Sequence, residues 1–104
     1  MEMWFSEFHT PDVKHSIRVN RQLFSRQSDY QRIDIFETPE FGRVLTLDGN
    51  VMLTERDEFI YDEMITHVPM AIHKEAKEIM VIGAGDGGVV RELTDTTGSG
   101  TLIW

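Results

Sequence analysis

Glu78-Ile79-Met80-Val81-Ile82-Gly83-Ala84-Gly85-Asp86-Gly87-Gly88-Val89-Val90-Arg91-Glu92-Leu93-Thr94 is the stretch whose reading decides the fold. Residues 78–82 form an apolar run of the kind that makes a fully buried parallel strand. The run leads straight into Gly83-x-Gly85-x-x-Gly88, and residues 89–94 open a helix. In that setting the glycines let the backbone turn tightly and approach a ligand, while the helix N-terminus adds free amides and partial positive charge. A nucleotide-type or adenosyl-type ligand fits this pattern, and so does a purely structural glycine turn. The acid that would grip a ribose belongs about 20 residues further on, near or past Trp104. Asp86 adds chemistry of its own, because an anion inside the loop opposes a pyrophosphate and suits a ligand bearing positive charge, such as a sulfonium nucleoside. The plainer role for Asp86 is to cap the helix that follows.

Upstream of the loop, Thr54 with Asp57 three residues on reads as a capping box. Glu55, Asp57 and Glu58 then put negative charge at the positive end of a helix starting at Thr54. Ile60, Met64, His67 and Val68 fall at helical spacing and are expected to face the core, and Pro69 is expected to end the helix around His67. Glu55, Asp57, Glu58, Asp62 and Glu63 are five carboxylates relieved only by Arg56. Asp62 lies one turn after Glu58, where a like-charge pair costs roughly 0.2 to 0.5 kcal/mol. Glu58, Tyr61 and Asp62 share a face, an aromatic ring flanked by carboxylates that suits an alkylammonium by charge and by cation–π contact. A merely solvated, exposed acidic face explains the same pattern.

Before Thr54 the segments are short and rich in β-branched and aromatic residues: 4–5, 16–19, 22–25, 31–36 and 43–47, read as antiparallel strands. Asp48-Gly49 between the strands at 44–47 and 51–53 is a strong hairpin signal, since a tight primed turn needs positive φ. Thr38-Pro39-Glu40-Phe41-Gly42 reads as a turn. Gln31, polar in its strand, either hydrogen-bonds a ribose hydroxyl or faces solvent.

The 104 residues carry 10 Lys plus Arg against 18 Asp plus Glu, a net charge of −8, with 40% hydrophobic residues. A chain of this length buries roughly 65% of its unfolded surface, which is enough for one modest core and not for separate cofactor and substrate domains. The acidic balance disfavours nucleic acid and anionic lipid and favours cationic ligands. With no cysteine, disulfides, thiol catalysis and thiolate-bound zinc are excluded, in keeping with a reducing cytosol. No secretion signal or membrane span is apparent, so a cytoplasmic location is expected. His67 and His73 share no helical face with a third ligand, so no metal is assigned, and no nucleophile with a positioned base is found.

Leu47-Asp48-Gly49, then Glu55-Arg56-Asp57-Glu58-Phe59-Ile60-Tyr61, then His67-Val68-Pro69, then Gly83-Ala84-Gly85-Asp86-Gly87-Gly88, in this order and spacing, closely resemble the spermidine synthases, the polyamine aminopropyltransferases. The resemblance runs from about Trp4 to Thr94. It implies an α+β fold in which an N-terminal antiparallel β domain, residues 1–53, precedes the first β-loop-α unit of a Rossmann-like, methyltransferase-like domain, residues 54–94. Residues 95–104 look unlike the family's next segment and are not expected to continue the helix. The chain is therefore expected to be an N-terminal fragment without turnover of its own, because the family's ribose-gripping acid and amine base belong beyond it.

The activity the resemblance implies is transfer of an aminopropyl group from decarboxylated S-adenosylmethionine, a co-substrate and not a cofactor, to putrescine, giving spermidine and 5′-methylthioadenosine. By motif match Gln31 meets the nucleoside, Gly83, Gly85, Gly87 and Gly88 shape its loop, Asp86 meets the aminopropyl end and Tyr61 lines the polyamine channel. Asp62 stands where the family usually has His or Gln against the polyamine. The partners implied are these small molecules and further copies of the chain, as a homodimer or homotetramer. The competing readings are a non-catalytic oligomerisation or polyamine-binding module and, less well matched, a small-molecule methyltransferase relative.

Overall fold

The computed structural model describes residues 1–97 and 100–104. It divides into two units, Met1–Asp57 and Glu58–Trp104.

The first unit is all β. Strands β1 (Met3–Thr10) and β2 (Val13–Val19) form an antiparallel hairpin; β3 (Arg21–Gln27), β4 (Arg32–Thr38), β5 (Gly42–Leu47) and β6 (Asn50–Thr54) form an antiparallel meander in sequential order. The expected hairpin between β5 and β6 is present. Asp48 at φ 52° and Gly49 at φ 79° supply the two consecutive positive dihedrals that a type I′ turn requires. The Pro39 turn between β4 and β5 is also present, tied by the Thr38 hydroxyl, which accepts from the Phe41 amide and donates to the Gly42 carbonyl. Ile17, Val19 and Val44 are buried, and the Phe5 and Phe36 rings meet at 5.1 Å between centroids. The strands at the N-terminus are longer than their apolar cores suggest, because ladder pairing carries polar residues such as Ser6 and Ser16 along with their neighbours. Gln31 is not in a strand. It precedes β4 in a turn where the Ser28 hydroxyl accepts from its amide and donates to its carbonyl.

In the second unit, α1 (Glu58–Ile72) and α2 (Gly88–Thr97) pack together, and β7 (Glu78–Met80) pairs in parallel with β8 (Thr101–Ile103). Five expectations need correction here. The helix begins at Glu58, not Thr54: the Thr54 and Asp57 side chains do bond to each other, but they close a turn between β6 and the helix, so only Glu58 lies in the first helical turn. Pro69 does not end the helix near His67. It sits inside the last turn, where its missing amide removes one bond while its own carbonyl still accepts from His73 at 2.9 Å.

The apolar residues Ile60, Met64 and Val68 are exposed, and the buried positions of α1 are Asp62 and Thr66. The side of α1 that meets α2 therefore carries polar groups. The strand expected over 78–82 is short and not buried, with Ile82 89% exposed, because a single strand, β8, flanks it. Finally, the segment after Thr94 does continue the helix, through Thr97, and residues 101–103 supply that flanking strand.

Candidate functional site

The site grows from one close approach. A Cβ built at Gly88 would stand 2.6 Å from Asp62 Cγ, deep inside contact distance, so only glycine lets the α1 carboxylate press against the first turn of α2. The third glycine of the motif is thus needed for helix packing as well as for the loop. Asp62, expected on an exposed acidic face, is 2% exposed, and its Oδ2 accepts no hydrogen bond. Thr66, one turn further along α1, is buried with its hydroxyl also unpartnered.

Around Asp62 the charges converge. Glu58, one turn earlier on α1, accepts from Arg91 Nη1 of α2 at 3.2 Å. Arg91 Nη2 stands 3.6 Å from Asp62 Oδ2 and 3.5 Å from Glu92 Oε1. Carboxylate oxygens of Glu58, Asp62 and Asp86 all lie within 4.8 Å of one another. Three hard oxygen donors at that spacing suit one shared positive charge, and nothing in the set singles out a metal over an ammonium.

The electrostatics follow from this crowding. Burial, then hydrogen bonding and like charge from Glu58, then the charge of Asp86, push the Asp62 carboxyl up to about 6 against the pull of Arg91. Glu58 goes the other way. Its hydrogen bond with Asp62 and the guanidinium of Arg91 outweigh its burial and hold it below the ordinary range. The pair behaves as two carboxyls sharing one proton, held mainly on Asp62.

The glycine loop itself carries Gly83 at φ 89°, Ala84 at φ 54° and Gly87 at φ 80°, and the Gly87 amide donates to the Ala84 carbonyl at 3.0 Å. Asp86 is exposed at the tip, and among the described residues its side chain makes no hydrogen bond that would cap α2. Trp104, just past β8, donates its indole N–H to the Gly83 carbonyl at 2.9 Å. This contact has no counterpart in the motif reading, because it depends on parallel pairing between residues 20 or more positions apart.

Of the residues singled out in the sequence, the second unit brings Asp62, Asp86 and Gly88 together, with Gly83, Gly85 and Gly87 in the adjoining loop. Tyr61 is on α1 at 66% exposure. Gln31 belongs to the first unit. Two participants carry more than their sequence pattern gives them: Arg91, by pattern only part of a helix start, and Glu58, by pattern a dipole partner and a neighbour on the acidic face. The available signal was the spacing of 58 and 62 on one helix opposite an arginine three residues into the next.

Comparison with known proteins gives these features a setting. Residues 3–55 match the family described as the spermidine synthase tetramerisation domain, and residues 58–98 match the spermine/spermidine synthase domain. The polyamine aminopropyltransferase of Clostridium botulinum is 63% identical over 94 residues, which is 90% of this chain and 33% of the relative; that of Agathobacter rectalis is 59% identical over 93 residues, 89% and 33%. The crystal structure of spermidine synthase from Thermotoga maritima superposes with a TM-score of 0.82 at 50% identity, covering 88% of this chain and 32% of that one. A spermidine synthase in complex with the transition state analogue AdoDATO matches equally, covering 31% of its length. The chain therefore spans about a third of the length of the relatives it matches. With its β unit and its helix-and-glycine-loop unit each matched in order, and more than half its residues inside the first of the two family domains, the chain belongs to the spermidine synthase family.

Proposed function

We propose that these residues serve aminopropyl transfer from decarboxylated S-adenosylmethionine to putrescine, as part of a protein of the relatives' length. The carrying observation is the carboxylate cluster of Glu58, Asp62 and Asp86 beside the glycine loop. It offers anionic oxygen to a cationic ligand at the place where a nucleoside meets open backbone. In the reaction an amine nitrogen attacks the methylene carbon next to the sulfonium. The C–N bond forms as the C–S bond breaks, the sulfur leaves neutral as methylthioadenosine, and the new ammonium gives up a proton. The sulfonium needs no activation, so the protein's part is to position the reactants and to place charge.

In this reading Asp86 holds the aminopropyl ammonium and Tyr61 and Asp62 line the path of the diamine. Gln31 meets the nucleoside, and Gly83, Gly85 and Gly87 admit it to the loop. A carboxylate at position 86 also repels the extra carboxylate of ordinary S-adenosylmethionine. No cofactor or metal takes part. The match of residues 3–55 to a tetramerisation domain supports assembly into homo-oligomers, and it is also what favours a second reading of the first unit as an oligomerisation module. Among the described residues no helix is long and apolar enough to cross a membrane; the cytoplasmic placement rests on the likeness to the bacterial polyamine aminopropyltransferases.

The test joins residues 1–94 to the remaining two-thirds of the Clostridium botulinum relative and measures methylthioadenosine release. Asp86→Asn is expected to lower kcat/KM by about ten- to a hundredfold, corresponding to a lost charged hydrogen bond of roughly 1.5 to 3 kcal/mol, while Tm hardly moves. Normal turnover with a lowered Tm would assign Asp86 to folding instead.

A further inference from the structure

Arg91 faces a crowd of carboxylates. Its two terminal nitrogens divide between Glu58 on one side and Asp62 and Glu92 on the other. The charged groups that bear on Asp62 are Glu58 from its own helix, Arg91 from α2 and Asp86 from the loop. Asp62 itself is pressed against Gly88, where no side chain can rise to bond its Oδ2. A buried carboxyl with an unbonded oxygen has its charge decided by its neighbours. Here two neighbours, joined to each other as an ion pair, act on it in opposite senses.

We propose that Glu58 and Arg91 are positioning residues that together set the charge Asp62 presents, so that an alkylammonium binding at Asp62 and Asp86 takes the place of a proton. This rests on the functional reading above and extends it to two residues outside the expected ligand contacts. Three carboxylates within 4.8 Å, with one guanidinium to offset them, are short of positive charge. A proton on Asp62 supplies it when no cation is bound. When the ammonium arrives it takes over that role and the proton leaves to water. Affinity for a diamine then rises by at most about tenfold per pH unit while Asp62 is protonated, and is flat once it is ionised.

The experiment attacks one ion pair from both ends. Carboxyl carbon NMR of the 104-residue chain follows the ionisation midpoint of Asp62, about 6 in the parent. Glu58→Gln removes the opposing negative charge and is expected to lower the midpoint. Arg91→Gln removes the supporting positive charge and is expected to raise it. Arg91→Lys keeps the charge and is expected to return it near the parent value, which also guards against a variant that fails to fold. An ion pair that only clamps the helices predicts the same direction from both ends, because either break exposes Asp62 and returns it toward the ordinary carboxylate range; that result overturns the proposal. Calorimetry with 1,4-diaminobutane at pH 6, in two buffers of different ionisation heat, is expected to show proton release. Binding without proton release overturns the proposal alone. Opposite NMR shifts without any diamine binding leave the charge setting intact and overturn the ligand reading instead.

Discussion

Each unit buries one aspartate, and the two are treated in opposite ways. Asp34, on β4 in the first unit, is 5% exposed and well served: Gln22 Nε2 donates to one oxygen at 2.9 Å and Arg32 Nε to the other at 2.9 Å. Burial pushes its carboxyl up, but hydrogen bonds from Ser25, Arg32 and Gln22 and the charge of Arg32 win, so it titrates below the ordinary range. Asp62, 2% exposed, has an unbonded oxygen and two carboxylate neighbours, and it titrates above that range. A buried charge whose partners are complete holds a sheet together. One whose partners are incomplete costs stability.

The largest expected break in this contrast is Asp34→Ala. It strands Gln22 and Arg32 without their acceptor and should cost the first unit about 3 kcal/mol, read as a lowered urea midpoint. Next is Gly88→Ala, which drives a methyl group into the Asp62 carboxyl and should cost the second unit about 2 kcal/mol. Most of that loss should return in the double variant with Asp62→Ala, whereas a loss that persists in the double variant would trace the glycine requirement to the loop. In hydrogen exchange, the two units should respond to acid with opposite signs. Asp34 has a lowered folded value, so its contribution is present above the unfolded value of about 3.8 and is lost as pH falls through the folded one. Asp62 is raised to about 6, so the second unit should grow more protected as pH falls from 6 toward 4, where the folded state binds the extra proton. The smallest effect is Asp62→Asn at pH 7, which removes an uncompensated charge and should leave stability within about 1 kcal/mol of the parent, unchanged or higher. It should also abolish the acid response of the second unit, and a response that survives would assign it to another group.

Local chemistry made much of the molecule legible in the sequence. The Asp48-Gly49 turn needed only the dihedral preferences of its two residues, the presence of strands in the first unit only their β-branched and aromatic content, and the glycine loop only its place between an apolar run and a helix start. Tertiary structure decided what depends on partners distant in sequence. Thr54 and Asp57 do form the pair their spacing suggests, but the end of β6 claims Thr54 first, so the helix starts at Glu58. The apolar residues of α1 promised a buried face, yet helix periodicity says only which residues lie side by side, not which side meets a neighbour. The bare backbone at Gly88 offered α2's contact to the smallest approach, and the stripe through Asp62 and Thr66 took it. Asp62 therefore changed from an exposed carboxylate to a buried one, since its burial is fixed by a glycine 26 positions away and its charge by Arg91, neither of which local spacing can register.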